Sequence, residues 1–372
     1  MTGRETAVAA GQPASAPESD MTAAIEGAAG VVTLSRPRAL NALTTAMRAR
    51  IAEAFAAWAR DPRVYAAVIV SATDRAFCAG GDVREMAECG RRDAGEARRL
   101  LAAEYSLNWQ LDCFTKPTVS LIDGVVMGSG VGISLYGTHR VAGERYRFAM
   151  PETGIGLFPD DGVASVFARL PDAVGMYLAL TGRSLGRADA YRLGLVTHCL
   201  PAGQFAEVLG ALIEADPVDA VLDARHVGPG HAELEALQPA IARCFGGDSL
   251  EAIVGALEAE RGAERVWAEG VLKDLGQRSP TSLKVTHRHV REARRLDLRA
   301  TLAQDYRLAC RFMLGHDFYE GVRATLIDRD HAPRWEPARL ADVSDLKIQA
   351  YFAPLDAAEL QLAPRSEMQA MR

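Results

Sequence analysis

Twice in its N-terminal half the chain runs through β-forming residues, turns on glycines and passes straight into a different pattern. YAAVIVSA leads to DRAFCAGGDVREM, where Gly80-Gly81 precede Asp82, and TVSLIDGVV leads to MGSGVGISL, where Gly128-Ser129-Gly130 make the turn. A strand that enters a helix through small residues leaves the first helical N–H groups unpaired and aimed at one spot, where a negative charge can be held. A single such turn is also what tight packing alone demands of glycine. Two turns that converge would offer one N–H each to an oxyanion, an arrangement in which each donor stabilises a transition state by about 3 kcal/mol. The glycine spacing of GSGVG does not match the G-x-G-x-x-G dinucleotide pattern, which sets nicotinamide cofactors aside.

The surrounding pattern predicts an α/β core followed by helices. GVVTLSR, YAAVIVSA, TVSLIDGVV and YRFAMPE read as strands; LTTAMRARIAEAFAAWAR, VREMAECG and GVGISLYGTHRVA read as helices. Beyond about residue 200 the segments are amphipathic and helical, with a strand signal only around Val218 to Leu222. The expected organisation is a disordered tail over residues 1–21, an α/β core over 22–203, a helical region over 204–345 and a partly flexible C-terminal segment over 346–372.

Of the 372 residues, 42 are basic and 48 acidic; a net charge of −6 gives no electrostatic reason to expect nucleic acid or a membrane as partner. The six cysteines are scattered and read as reduced core thiols, and no run approaches the roughly 20 apolar residues of a membrane span. The opening residues lack the apolar run of a secretory signal, so the cytoplasm is the expected compartment. His287 and His289 lie at i,i+2 and make a poor metal pair, and Cys78 has no neighbouring histidine to activate it, so no metal and no resident cofactor are expected.

The segments RALNALT, AFCAGGDVREM, KPTVSLIDGVVMGSGVG, FAMPETGIGLFPDDG, SLKVTHRHV and GHDFYEGVRATLIDRDHAPRW resemble the crotonase (enoyl-CoA hydratase/isomerase) superfamily, and within it the 3-hydroxyisobutyryl-CoA hydrolase branch. The resemblance implies a spiral of ββα units with a helical C-terminal region and a coenzyme A thioester as substrate; members of the superfamily commonly form homo-oligomers through the core, and the long C-terminal helical region could alter that here. It implies that the thioester oxygen lies between the amides of Gly81 and Ser129, with Ala79, Asp82 and Gly128 beside them in substrate binding. Ser129 stands where the family usually has glycine. Hydratases of the superfamily use two glutamates; here the first position is Gly132 and the second Glu152. The hydrolase branch pairs the second glutamate with the aspartate of LFPD, here Asp160, and has a substrate-contacting glutamate that matches Glu104.

Gly154, Gly156 and Pro159 rule out a continuous helix between Glu152 and Asp160, so a loop returning both carboxylates to one pocket is expected, with their pKa values pushed apart. Whether Glu152 attacks the thioester or activates a water stays open. Asp160 or Asp161 is expected to cap the helical pattern GVASVFARL, Asp161 being available for that task, and a solvated helix face is the competing account of Glu104. Lys116, Arg329 and Arg334 are candidate partners of coenzyme A phosphates. The expected activity is hydrolysis of a short 3-hydroxyacyl-CoA, 3-hydroxyisobutyryl-CoA by resemblance, as in valine catabolism. DGVAS stands where the branch usually has a glycine-rich VGGG, so a different acyl pocket, with a related thioester or a longer acyl chain as substrate, is an open alternative. The alternatives are a hydratase or isomerase using Glu152 alone and an inactive coenzyme A-binding protein.

Overall fold

The computed structural model describes residues 20–370; the expected disordered tail therefore lies outside the described residues, apart from its last two positions. Met21 already belongs to a strand. Among the described residues ten strands form two sheets: β1 (Met21–Glu26), β2 (Ala29–Leu34), β3 (Ala66–Ser71), β4 (Ala76–Cys78), β5 (Thr118–Ile122), β6 (Val125–Met127), β7 (His139–Ala142), β8 (Arg147–Ala149), β9 (Leu185–Gly186) and β10 (His198–Cys199). The larger sheet has the order β1-β2-β3-β5-β7-β10 and the smaller β4-β6-β8-β9. All pairings are parallel except β1 with β2 and β8 with β9.

The pairs β3/β4, β5/β6 and β7/β8 share one plan: the first strand of each joins the large sheet and the second crosses to the small one. TVSLIDGVV, expected as one strand, is thus two strands in two sheets, broken at Asp123-Gly124. Gly124 has φ +80°, and a Cβ there would stand 2.5 Å from the Arg75 carbonyl oxygen, so only glycine lets the chain turn between sheets at this point.

Five helices matter for the site: α1 (Thr45–Arg60), α2 (Val83–Arg92), α3 (Ala94–Cys113), α4 (Ser129–Gly132) and α5 (Val163–Phe167). Thr44, Asp82 and Asp93 cap α1, α2 and α3 with side-chain oxygens. The segment GVGISLYGTHRVA departs from expectation. Only its first residues continue the short α4, and His139–Ala142 is strand β7, paired in register with Val119–Ile122 of β5. Val218–Asp223 is a helix rather than a strand, started by Pro217 and packed on Phe205–Ile213 with Val218, Val221 and Leu222 buried.

From Phe205 onward every regular element among the described residues is helical. Leu298–Phe312 lies along α3, and Asp345–Phe352 packs on Leu298–Phe312. A separate hydrophobic cluster built from α2, α3 and these C-terminal helices, with Tyr105, Phe158, Phe312 and Phe318 fully buried, therefore roofs the sheet edge where the glycine turns emerge. No described helix is long and apolar enough to cross a membrane. Gly124→Ala is expected to lower the unfolding free energy by about 2–4 kcal/mol, from the strained φ and the collision with Arg75 together; urea denaturation of the purified variant checks it.

Candidate active site

The two glycine turns meet. After β4 the chain passes Gly80, at φ +118°, and Leu43 bridges across it: Leu43 N–H donates to Gly80 O at 2.8 Å and Asp82 N–H to Leu43 O at 2.9 Å. In such a parallel bridge the residue between the two bonds turns its own N–H the other way, and Gly81 N–H donates to no acceptor among the described residues. After β6, Gly128 (φ +47°) starts α4, and the Ser129 N–H is likewise unused among the described residues. A Cβ on Gly130 would stand 2.4 Å from the Cys78 carbonyl oxygen, so the turns pack backbone against backbone. Gly81 and Ser129 line one cavity of about 780 Å³.

Ala79, Gly80, Asp82, Gly128, Glu104, Glu152 and Asp160 line the same cavity. Asp82 divides its carboxylate between the cap on Glu85 N–H and an ion pair with Arg36 at 2.9 Å. Glu152 opens a 3-10 turn directly after β8 and Pro151, and its Oε1 lies 3.1 Å from where a Gly128 Cβ would be. Its Oε2 is buried with no hydrogen-bond partner among the described residues. The loop then reverses through Gly156 (φ +71°), pressed on the Asp317 carbonyl, and returns Asp160 to the cavity, where Tyr105 O–H donates to its Oδ2 at 2.8 Å.

Both acids are strongly perturbed. Burial, with the charge of Asp160 second, holds Glu152 well above the usual carboxylate range. Burial, followed by Glu104 and Asp305, pushes Asp160 up to about 8 against the pull of the Tyr105 hydrogen bond. A carboxyl group that keeps its proton near neutrality beside a second buried acid is a general acid in waiting.

Several expectations need correction. Asp161 caps nothing: it sits at φ +56°, almost fully buried, with both carboxylate oxygens lacking partners among the described residues. Residue 162 precedes α5 without a side-chain cap, and its N–H is taken by Asp305 Oδ2 at 2.6 Å instead. Glu104 is on no solvated helix face; it is 6% exposed and pairs with Arg48 at 2.8 Å. Lys116 donates to the carbonyls of Trp58 and Asp61, and Arg334 does not line the cavity, whereas Arg329 and Arg38, both exposed, stand at its open end.

Gly132 explains itself. A Cβ there would stand 2.6 Å from Asn108 Nδ2 and 2.9 Å from the Asp161 carboxyl, so no glutamate fits without displacing both. Cys78 is a buried filler whose thiol burial drives up to about 12. His287 and His289 diverge, the first to Gly247 O and the second to Asp305 at 2.6 Å.

Sequence reasoning missed Arg48, Tyr105 and Asp305, and it gave Asp161 the role of a cap. Arg48 carried a signal: it occupies the apolar stripe of α1 with Met47, Ile51 and Phe55, where a charged residue needs a reason. The others are brought in by tertiary contacts with no local pattern.

The family model described as enoyl-CoA hydratase/isomerase matches residues 29–352. The chain belongs to that family. Zebrafish (Danio rerio) mitochondrial 3-hydroxyisobutyryl-CoA hydrolase is 40% identical over 351 residues, covering 90% of each chain, and the human (Homo sapiens) protein of that name is 38% identical over 346 residues, covering 90% of this chain and 89% of its own. Among solved structures, a carnitinyl-CoA dehydratase from Mycobacterium thermoresistibile superposes with a TM-score of 0.87 at 40% identity, covering 92% of this chain and 98% of its own. An enoyl-CoA hydratase from Rhodobacter sphaeroides gives 0.86 at 36% identity, covering 92% and 100%. The crotonase fold read from the sequence is therefore the fold of this chain.

Asp160 also marks the stability. Its ordinary value is 3.8 and its folded value about 8, so between these the folded chain holds a proton the unfolded chain has lost, and stability falls as pH rises through that window. Asp160→Asn removes this contribution. The unfolding free energy of the variant relative to wild type is expected to rise between pH 5 and pH 8, measured by paired denaturation curves at the two pH values.

Proposed function

We propose that this chain hydrolyses a short 3-hydroxyacyl-CoA thioester, with 3-hydroxyisobutyryl-CoA the first choice, to the free acid and coenzyme A. The observation that carries the reading is the combination of Glu152 and Asp160 on one cavity with Gly132 closed off by Asn108 and Asp161. Hydration across a double bond draws on two carboxylates placed around one water, and the position of the first is sterically filled. Hydrolysis needs a different division of labour. The thioester oxygen binds between the amides of Gly81 and Ser129, which stabilise the tetrahedral oxyanion.

Glu152 then supplies the attack on the carbonyl carbon, either with its own carboxylate oxygen, giving a mixed anhydride that water opens, or by taking a proton from an attacking water. The C–S bond breaks and the sulfur leaves with its electron pair; Asp160, protonated and steadied by Tyr105, is placed to deliver the proton. Arg38 and Arg329 at the open end offer cations to the coenzyme A phosphates.

The names of the vertebrate relatives support the hydrolase, whereas those of the two solved relatives favour a dehydratase or hydratase; Gly132 weighs for the former. Wild type is expected to release free thiol from 3-hydroxyisobutyryl-CoA and to leave the enoyl absorbance of crotonyl-CoA unchanged; the reverse result sinks the reading. Glu152→Gln is expected to lower kcat at least about a thousandfold with coenzyme A affinity within threefold. Attack needs Glu152 ionised, and burial holds Glu152 well above the usual carboxylate range, while Asp160, which delivers the proton, loses its own near about 8. kcat/KM is therefore expected to climb with pH from the acid side and to fall once pH passes about 8, as read by thiol release in matched buffers.

A further inference from the structure

Arg48 belongs to α1, yet its head group reaches the cavity floor. Its Nη2 lies 2.8 Å from Glu104 Oε1 and 3.2 Å from Ser129 Oγ, and Ser129 O–H donates to that same Glu104 oxygen at 2.5 Å. All three residues are less than 10% exposed. A Cβ at Gly81 would stand 2.2 Å from Arg48 Nη2 and 3.0 Å from Ser129 Oγ, so this triangle abuts both amide donors. Burial opposes the charge of Arg48, but Glu104 first and Asp161 second outweigh it and keep the guanidinium protonated.

The triangle has a consequence for what can sit beside it. Glu104 Oε1 already meets two donors, whereas Oε2 makes no hydrogen bond among the described residues while Glu104 lines the cavity. An acceptor in a desolvated pocket rejects a ligand that leaves it unpaired, and does so more strongly than a merely apolar pocket rejects a wrong shape. An acyl group carrying a carboxylate sets a like charge and a further acceptor against Glu104, whose ion pair with Arg48 is already made, and is disfavoured. A neutral hydroxyl one or two carbons from the thioester carbonyl satisfies Oε2 without adding charge.

We propose that Arg48 is the specificity-determining positioning residue of this pocket: through its ion pair with Glu104 and its hydrogen bond to Ser129 it fixes an acceptor wall that selects short hydroxyacyl groups over unsubstituted or carboxylated ones. The proposal rests on the acyl-CoA hydrolase reading above and deepens it. Arg48 acts through Glu104, not on the reacting atoms. Its removal frees Glu104 to turn away from the pocket, and the penalty for a missing hydroxyl disappears.

The test compares 3-hydroxyisobutyryl-CoA with isobutyryl-CoA. Wild type is expected to favour the former at least about thirtyfold in kcat/KM for thiol release. Arg48→Met is expected to cut that ratio about tenfold or more, and Arg48→Lys, which keeps the charge, to hold it within about threefold. In a Glu104→Gln background, Arg48→Met is expected to change the ratio less than about twofold, because the arginine works through the carboxylate. Arg48→Gln, nearer in size and able to hydrogen-bond, gives the same reading should Arg48→Met not fold, and thermal melting establishes folding for each. A ratio near one in wild type, or a ratio unchanged in a folded charge-neutral variant, overturns the proposal. If wild type releases thiol from neither ester, the hydrolase reading fails; the same ratio is then taken from the dissociation constants of the two non-cleavable thioether analogues, on which the role of Arg48 stands or falls alone.

Discussion

The site depends on the contact between two backbone turns. Gly130 lies so close to the Cys78 carbonyl that a methyl could not intervene, and that approach brings the unused amides of Gly81 and Ser129 to one cavity. Amides fixed by secondary structure need no reorganisation when charge develops in front of them, which is why backbone donors are effective there. The spiral serves this contact: each strand that crosses from the large sheet to the small one, as at Asp123-Gly124, delivers its following turn to the same edge.

Around those donors the fold concentrates acids that it does not fully satisfy. Glu152 Oε2 and both Asp161 oxygens are buried without partners among the described residues, and Glu152, Asp160 and Asp161 are all held above the usual carboxylate range, by burial first. Such groups cost stability. The offsetting contributions come from Arg48 against Glu104, from Tyr105 on Asp160 and from the apolar roof of α2, α3 and the C-terminal helices. The helical region past residue 204 is thus part of the site: Ala309, Met313 and Phe318 wall the cavity.

Much of this was legible in the sequence because the informative residues are local. Glycine pairs after β-rich runs, a proline and glycines between Glu152 and Asp160, and an aspartate ahead of VREM each leave a mark within a few residues. The misreadings share a physical cause. TVSLIDGVV looked like one strand because hydrophobic pattern does not distinguish a strand from two strands divided between sheets. THRVA reads as the end of a helix, whereas α4 stops after one turn, the chain turns through residues 133–138, and His139–Ala142 pairs with β5. Asp161 looked like a cap because position relative to a helix is visible in sequence, whereas the burial that turns it toward Gly132 and Arg48 is not. Arg48, at 81 residues from Ser129, showed only as a charge out of place on an apolar stripe.

The claim on which the account stands is that two amides from separate turns grip one thioester oxygen. Isotope-edited infrared spectroscopy reads that grip directly, using 3-hydroxyisobutyryl-CoA labelled with carbon-13 at the thioester carbonyl and bound to the Glu152→Gln protein. Two converging donors polarise the carbonyl, so the band is expected to move to lower frequency than in free solution. A bound band at the free-solution frequency would contradict the account.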